Sequence, residues 1–156
     1  METGVMSRGQ GQAVAVVGDR YTMKATGRDT GGAFALMEAL VPPGAGPPPH
    51  VHHREDEAFY VLEGTLEFHV DGRAITAGPG SWVTLARGSL HQFQNVGPTP
   101  ARMLIVVTPA GLEQYFLEVG RRLLEGEEPS PATPDEFAQL VASAPKYGLE
   151  IHPPTQ

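Results

Sequence analysis

Between residues 13 and 108 apolar positions come in short runs or in strict alternation, with turn-forming residues between them. This is how an all-β sandwich or barrel reads. The runs predict strands over 13–17, 20–26, 33–41, 58–63, 65–70, 73–76, 81–85, 91–95 and 101–108. Gly18-Asp19, Asp29-Thr30-Gly31-Gly32, Asp71-Gly72, Gly78-Pro79-Gly80 and Gly97-Pro98 supply the turns. The clearest hairpin runs through Leu66, Phe68 and Val70, which alternate with polar neighbours, then Asp71-Gly72, then Arg73 to Thr76. One face of it is buried and the other wet.

After Pro109 the period changes to that of a helix. Leu112, Tyr115, Phe116, Val119 and Leu123 fall on one stripe, predicting a helix over about 111–125 closed by Gly126. A Pro-rich linker over 127–134 leads to Thr133-Pro134-Asp135-Glu136, a cap, a first-turn proline and a reciprocal glutamate that announce a second short helix. Tyr147 to Ile151 is a candidate last strand, and Pro153-Pro154 ends the order. Residues 1–12 read as a loose arm. The whole is one domain over 1–156, a β-barrel of about 13–108 followed by a helical tail of about 111–145.

Composition narrows the partners. Eleven Lys and Arg against 18 Asp and Glu give a net charge of −7, which repels phosphate backbones and anionic lipid, so neither nucleic acid nor a membrane is an expected partner. No apolar run is long enough to span a bilayer, no secretory signal is evident, and the expected location is cytoplasmic. There is no cysteine, so any metal must be held by nitrogen and oxygen.

The candidate ligands lie close together. His50 and His52 are two apart and present their imidazoles to one side of a strand, while His53 faces the other way. Glu57 joins them only if the Arg54-Glu55-Asp56 run bends or bulges the chain. His91, Phe93 and Asn95 would form the inward set of a neighbouring strand. Two adjacent strands would then offer three imidazoles and a carboxylate, a donor set for one divalent transition metal ion, whether iron, manganese, nickel, cobalt or zinc. Phe34, Met37, Phe59, Trp82, Phe93 and Met103 are candidates for an apolar pocket wall or for core filling. His53 and Glu55 read as solvent-facing or as supports behind a ligand, and His69 and His152 as surface histidines.

These residues carry a resemblance. Gly44, His50, His52, Glu57 and Gly64 match the first motif of the cupin family without a gap, and Gly80, Gly88, His91 and Asn95 match the second, with Ala86 where the family usually has proline. The resemblance implies a small cupin-type jelly roll and metal ligation by His50, His52, Glu57 and His91. Within the family, the run from His50 to Gly64 and the tail through Lys146 to Ile151 look most similar to single-domain bacterial quercetinase-like cupins. That implies a dioxygenase acting on a flavonol-like or other enolic aromatic molecule, with Glu57 both a ligand and a general base or hydrogen-bond partner for the substrate hydroxyl. It also implies a homodimer. A redox-inert isomerase or polyketide cyclase, and a non-catalytic binding module, remain open on the same barrel.

Overall fold

Alternation gives each strand one apolar face, and two antiparallel sheets stack with those faces inward in the computed structural model, which describes residues 1 and 3–153. In chain order the elements are β1 (Ala13–Val16), β2 (Asp19–Ala25), α1 (Gly27–Thr30), β3 (Ala35–Val41), β4 (His50–His52), β5 (Asp56–Glu63), β6 (Leu66–Val70) and β7 (Arg73–Ala77). Then follow β8 (Trp82–Leu85), β9 (Leu90–Asn95), β10 (Ala101–Thr108), α2 (Leu112–Val119), β11 (Arg121–Leu123), α3 (Pro134–Ser143), a 3-10 turn (Ala144–Tyr147) and β12 (Leu149–Ile151). The larger sheet has the order β11-β1-β2-β3-β10-β5-β8 and the smaller β12-β4-β9-β6-β7. From β3 to β10 the chain changes sheet at each connection except the β6–β7 hairpin, the jelly-roll manner of closing a core.

The aromatic centre of that core joins the sheets. Phe59 of the larger sheet meets Phe68 and Phe93 of the smaller with ring centroids 5.1 and 6.0 Å away. Met37 and Met103 are fully buried beside them as core filling, whereas Trp82 is 56% exposed and Phe34 half-buried before β3. Trp82 is therefore no wall residue; it sits on the outer face of edge strand β8, opposite Tyr60.

The expected hairpin is present, with Asp71 and Gly72 both at positive φ (47° and 81°), the turn shape that matches strand twist. At the first hairpin the turn falls on Val17-Gly18 instead, and Asp19 becomes the opening residue of β2. The 29–32 segment is a single helical turn ended by Gly31, not an open turn.

The largest departure is the helix expected over 111–125. It stops at Val119, and residues 121–123 turn back to pair with β1. Gly120 explains the break: its backbone is extended, and a Cβ there would lie 2.7 Å from Val14 Cβ and 2.5 Å from the Phe116 carbonyl. Only glycine lets the chain pass that close to β1, so the stripe that continues to Leu123 is a strand whose Leu123 is buried beside Ala13 and Ala15. The second helix begins at Pro134 as expected, with Thr133 and Glu136 capping each other reciprocally. Of the last strand expected over Tyr147 to Ile151, Leu149–Ile151 pairs as β12 against β4, while Tyr147 ends the 3-10 turn. The expected end of order at Pro153-Pro154 falls partly outside the described residues. No helix among the described residues is long and apolar enough to cross a membrane.

Several core positions are polar, and one of them opens β2. Asp19 is fully buried; its Oδ2 accepts a 3.2 Å hydrogen bond from the Tyr21 hydroxyl, and its Oδ1 has no partner. Burial pushes its carboxyl up from 3.8 to about 7, with the Tyr21 hydrogen bond opposing. A proton held more tightly in the folded chain favours folding most below 3.8, and this contribution is lost as the pH rises through about 7.

Two outcomes are expected. Gly120→Ala should lower unfolding stability in urea by about 1–3 kcal/mol, while Gly78→Ala, where a Cβ meets nothing within 4 Å, should change it by under about 0.5 kcal/mol. Asp19→Asn should gain on the wild type between pH 4 and 8, by up to about 4 kcal/mol for a rise of this size; a difference independent of pH would contradict the raised carboxyl.

Candidate metal centre

Residue spacing brings the four candidate side chains to one point from two sheets. His50 and His52 lie two apart on β4, and His91 on β9 is the direct cross-strand partner of His50. The three rings sit with centroids 4.4 to 5.4 Å apart. Glu57 comes from β5 in the opposite sheet, so its five-residue offset from His52 is met by a change of sheet and not by a bulge within one strand. The bend at 53–55 makes that change and is anchored on both sides. The His53 amide donates to the Gly148 carbonyl at 2.9 Å, Arg54 donates to the Lys146 carbonyl at 3.0 Å, and Asp56 holds the Arg87 guanidinium at 2.9 Å. The expectation of two adjacent strands is thereby corrected: β4 and β9 are neighbours, and the carboxylate reaches across the interior.

One ligand atom from each of the four residues lies within 4.8 Å of the others, so the cluster can hold a metal ion. Glu57 Oε2 is 2.8 Å from His91 Nε2 and 3.1 Å from His52 Nε2. The far side of two rings is fixed by the backbone: His50 Nδ1 is 2.9 Å from the Pro48 carbonyl and His91 Nδ1 is 3.0 Å from the Ser89 carbonyl. A carbonyl only accepts, so each Nδ1 carries a proton; His50 Nε2 is left to offer its lone pair inward, and His91 Nε2 does so once a cation replaces its 2.8 Å contact with Glu57 Oε2. Nitrogen and carboxylate donors in this number suit a divalent first-row cation, and the residues present fit one.

The electrostatics point the same way. Burial lowers the His50 imidazole to about 3, and repulsion from His52 and His91 adds to this, so it is a neutral donor at physiological pH. Burial acts most strongly, to lower His52, but the Glu57 and Glu55 carboxylates together outweigh it and lift the ring to about 9. Burial acts to raise Glu57; His52 and His91 overcome it and hold the carboxyl far below the usual range. An ionised carboxylate inside a protein requires a positive neighbour. Here that neighbour is a protonated imidazole or a bound cation.

His50, His52 and Glu57 open on a cavity of about 50 Å³. Phe59 and Phe93 line it as expected, and so do residues that sequence reasoning passed over: Tyr21 from β2, Leu112 and Tyr115 from α2, Leu140 from α3, Leu149 and Ile151 from β12. The C-terminal elements thus cover the site. Tyr21 had a readable signal, since Asp19, Tyr21 and Met23 alternate on one inward face, and Leu112 and Tyr115 had the apolar stripe of their helix; Leu140, Leu149 and Ile151 lie beyond the break at Gly120. Towards the outside, Val17, Pro47, Pro48 and Phe93 also line a second hollow of about 260 Å³, bounded by Gln92, Gln94 and Phe137. His53 and Glu150 pair at 3.0 Å on the surface, His69 bonds Glu67 at 2.7 Å and His152 lies near Glu150 at 2.8 Å, all away from the cluster. Glu55, read as solvent-facing or as a support behind a ligand, is buried.

Known proteins resemble this chain. Quercetin 2,3-dioxygenase of Bacillus subtilis (strain 168) is 25% identical over 116 residues, 74% of this chain and 34% of its own. The tetracenomycin polyketide synthase protein TcmJ of Streptomyces glaucescens is 30% identical over 67 residues, 43% of this chain and 45% of its own. The chain therefore spans about a third of the first relative's length and under half of the second's. KdgF from Halomonas sp. shares the fold with a TM-score of 0.63 at 17% identity, over 73% of this chain and 99% of that one. Residues 37–107, which include all four clustered side chains, match the Cupin_2 family, described as a cupin domain.

Proposed function

We propose that His50, His52, Glu57 and His91 bind one divalent transition metal ion and that the protein is a metal-dependent dioxygenase acting on an enolic aromatic molecule of the flavonol kind. The convergence of four donor atoms within 4.8 Å beside an apolar cavity carries this reading. The likeness to quercetin 2,3-dioxygenase supports the reaction class. When bound, the ion supplies Lewis acidity to an enol or phenol oxygen. The protein's own groups do the rest. Phe59, Phe93 and Phe116 offer faces for an aromatic ring, and the apolar lining excludes water from the reacting end. Glu57, ionised and released from its imidazole partners, accepts a hydrogen bond from the substrate hydroxyl and can take its proton.

Size adds a constraint. A cavity of about 50 Å³ holds one or two waters, at about 30 Å³ each. Only together with the outer hollow of about 260 Å³ does it reach the low end of small-molecule sites, about 300–1,000 Å³. A flavonol would therefore lie across both, its chelating end inward past Val17 and Pro48. A second reading, a redox-inert isomerase or polyketide cyclase, draws on the likeness to TcmJ and uses the same four residues.

His50→Ala and His91→Ala should each weaken zinc or manganese binding by more than about 100-fold in calorimetry, while His69→Ala and His152→Ala leave it within about twofold; equal loss from all four would refute the site. In an oxygen electrode, metal-loaded protein should bind quercetin without air, with a shifted absorption band, and consume oxygen once air is admitted. Product formation with no oxygen uptake would favour the cyclase reading instead.

A further inference from the structure

Glu55 is a buried carboxylate with no part in the reading above. It is 3% exposed, in the bend between β4 and β5, and its Oε2 has no hydrogen-bond partner. His52 Nδ1 is likewise buried and without a partner. The two atoms stand 3.7 Å apart, just beyond hydrogen-bond distance. Two orphaned, complementary buried atoms at this separation are uncommon enough to require an explanation.

The other two imidazoles supply the contrast. His50 and His91 each fix the Nδ1 proton on a carbonyl two residues earlier in the chain. His52 has no such carbonyl; its Nε2 is drawn to Glu57 Oε2 at 3.1 Å, a contact that needs a proton on Nε2. A cation among the four residues leaves the ring a single proton. Nε2 must then be bare, the ring proton must sit on Nδ1, and the acceptor facing Nδ1 is Glu55 Oε2.

We propose that Glu55 is a positioning residue for the metal centre: its carboxylate accepts the His52 Nδ1 proton when a cation is bound, fixing the tautomer and aiming Nε2 at the ion. This rests on the metal binding proposed above. Closure of 3.7 Å to an ordinary hydrogen bond needs a shift of about 0.5–1 Å in either side chain. The arrangement also puts a second carboxylate beside the cluster, so that Glu57 and Glu55 together balance a divalent charge.

The test uses zinc alone, in competition with a chromophoric chelator, on the full chain. Glu55→Gln, close to isosteric, should bind zinc about 10–100-fold more weakly than wild type, and Glu55→Ala at least as weakly, while the metal-free melting temperature of Glu55→Gln stays within a few degrees of wild type. Nitrogen-15 spectra of zinc-loaded wild type should show His52 protonated at Nδ1, a readout independent of any variant. Unchanged zinc affinity in both variants, or a His52 proton on Nε2 in the loaded wild type, would overturn the role of Glu55 while leaving the metal site standing. Failure of the wild type to bind zinc, manganese, iron, nickel or cobalt would overturn both.

Discussion

A single carboxylate oxygen, Glu57 Oε2, faces imidazoles across the interior at 2.8 and 3.1 Å, and much of the structure serves that approach. The carboxylate comes from one sheet and the imidazoles from the other, so their meeting depends on the separation and stagger of the sheets. Phe59, two residues along β5 from Glu57, packs on Phe93, two residues along β9 from His91, with ring centroids 6.0 Å apart. The same strands thus bring both the aromatic lock and the donors. Register matters equally: His50 opposes His91 directly, and a one-residue slip of β4 on β9 would put Val51 where an imidazole belongs.

The cover over the cavity is bound into this arrangement. β12 pairs with β4 so that Ile151 opposes His50 and Leu149 opposes His52. The Tyr115 hydroxyl of α2 donates to the Leu140 carbonyl of α3 at 2.7 Å, tying the two helices over the opening. The family match ends at residue 107, before any of these elements, yet they form much of the apolar lining. The donor cluster therefore belongs to the matched barrel, whereas the shape of what can reach it is set by the C-terminal tail.

The parts readable in the sequence were those governed by short-range periodicity. Strands β5, β6 and β10 show their alternation plainly, the Asp71-Gly72 turn declares its own conformation, and the His-x-His spacing of β4 places two rings on one side whatever the sheet. The unreadable parts depended on distant neighbours. Helical periodicity runs on past Gly120, and only the closeness of Val14 turns residues 121–123 into a strand. Glu55 lies in a charged run that looks solvated, but the change of sheet between β4 and β5 carries it inside. Trp82 follows the reverse path, apolar in character yet placed on the outer face of an edge strand.

What separates an oxygenase from a proton-transfer enzyme on this scaffold is the supply of polar groups beyond the donors. Apart from His50, His52 and Glu57, the cavity lining offers only the hydroxyls of Tyr21 and Tyr115, and the second already donates to Leu140. Tyr21 donates to Asp19, so its remaining capacity is to accept a hydrogen bond. A ligand in this cavity meets acceptors and apolar faces, with no Lys or Arg among the described lining residues to stabilise an oxyanion. An enolate or phenolate formed there has to find its positive partner at the four-residue cluster, which makes the cluster the place where charge develops in either reaction. The surrounding apolar wall strengthens that interaction by keeping water away, and it does so equally for both chemistries.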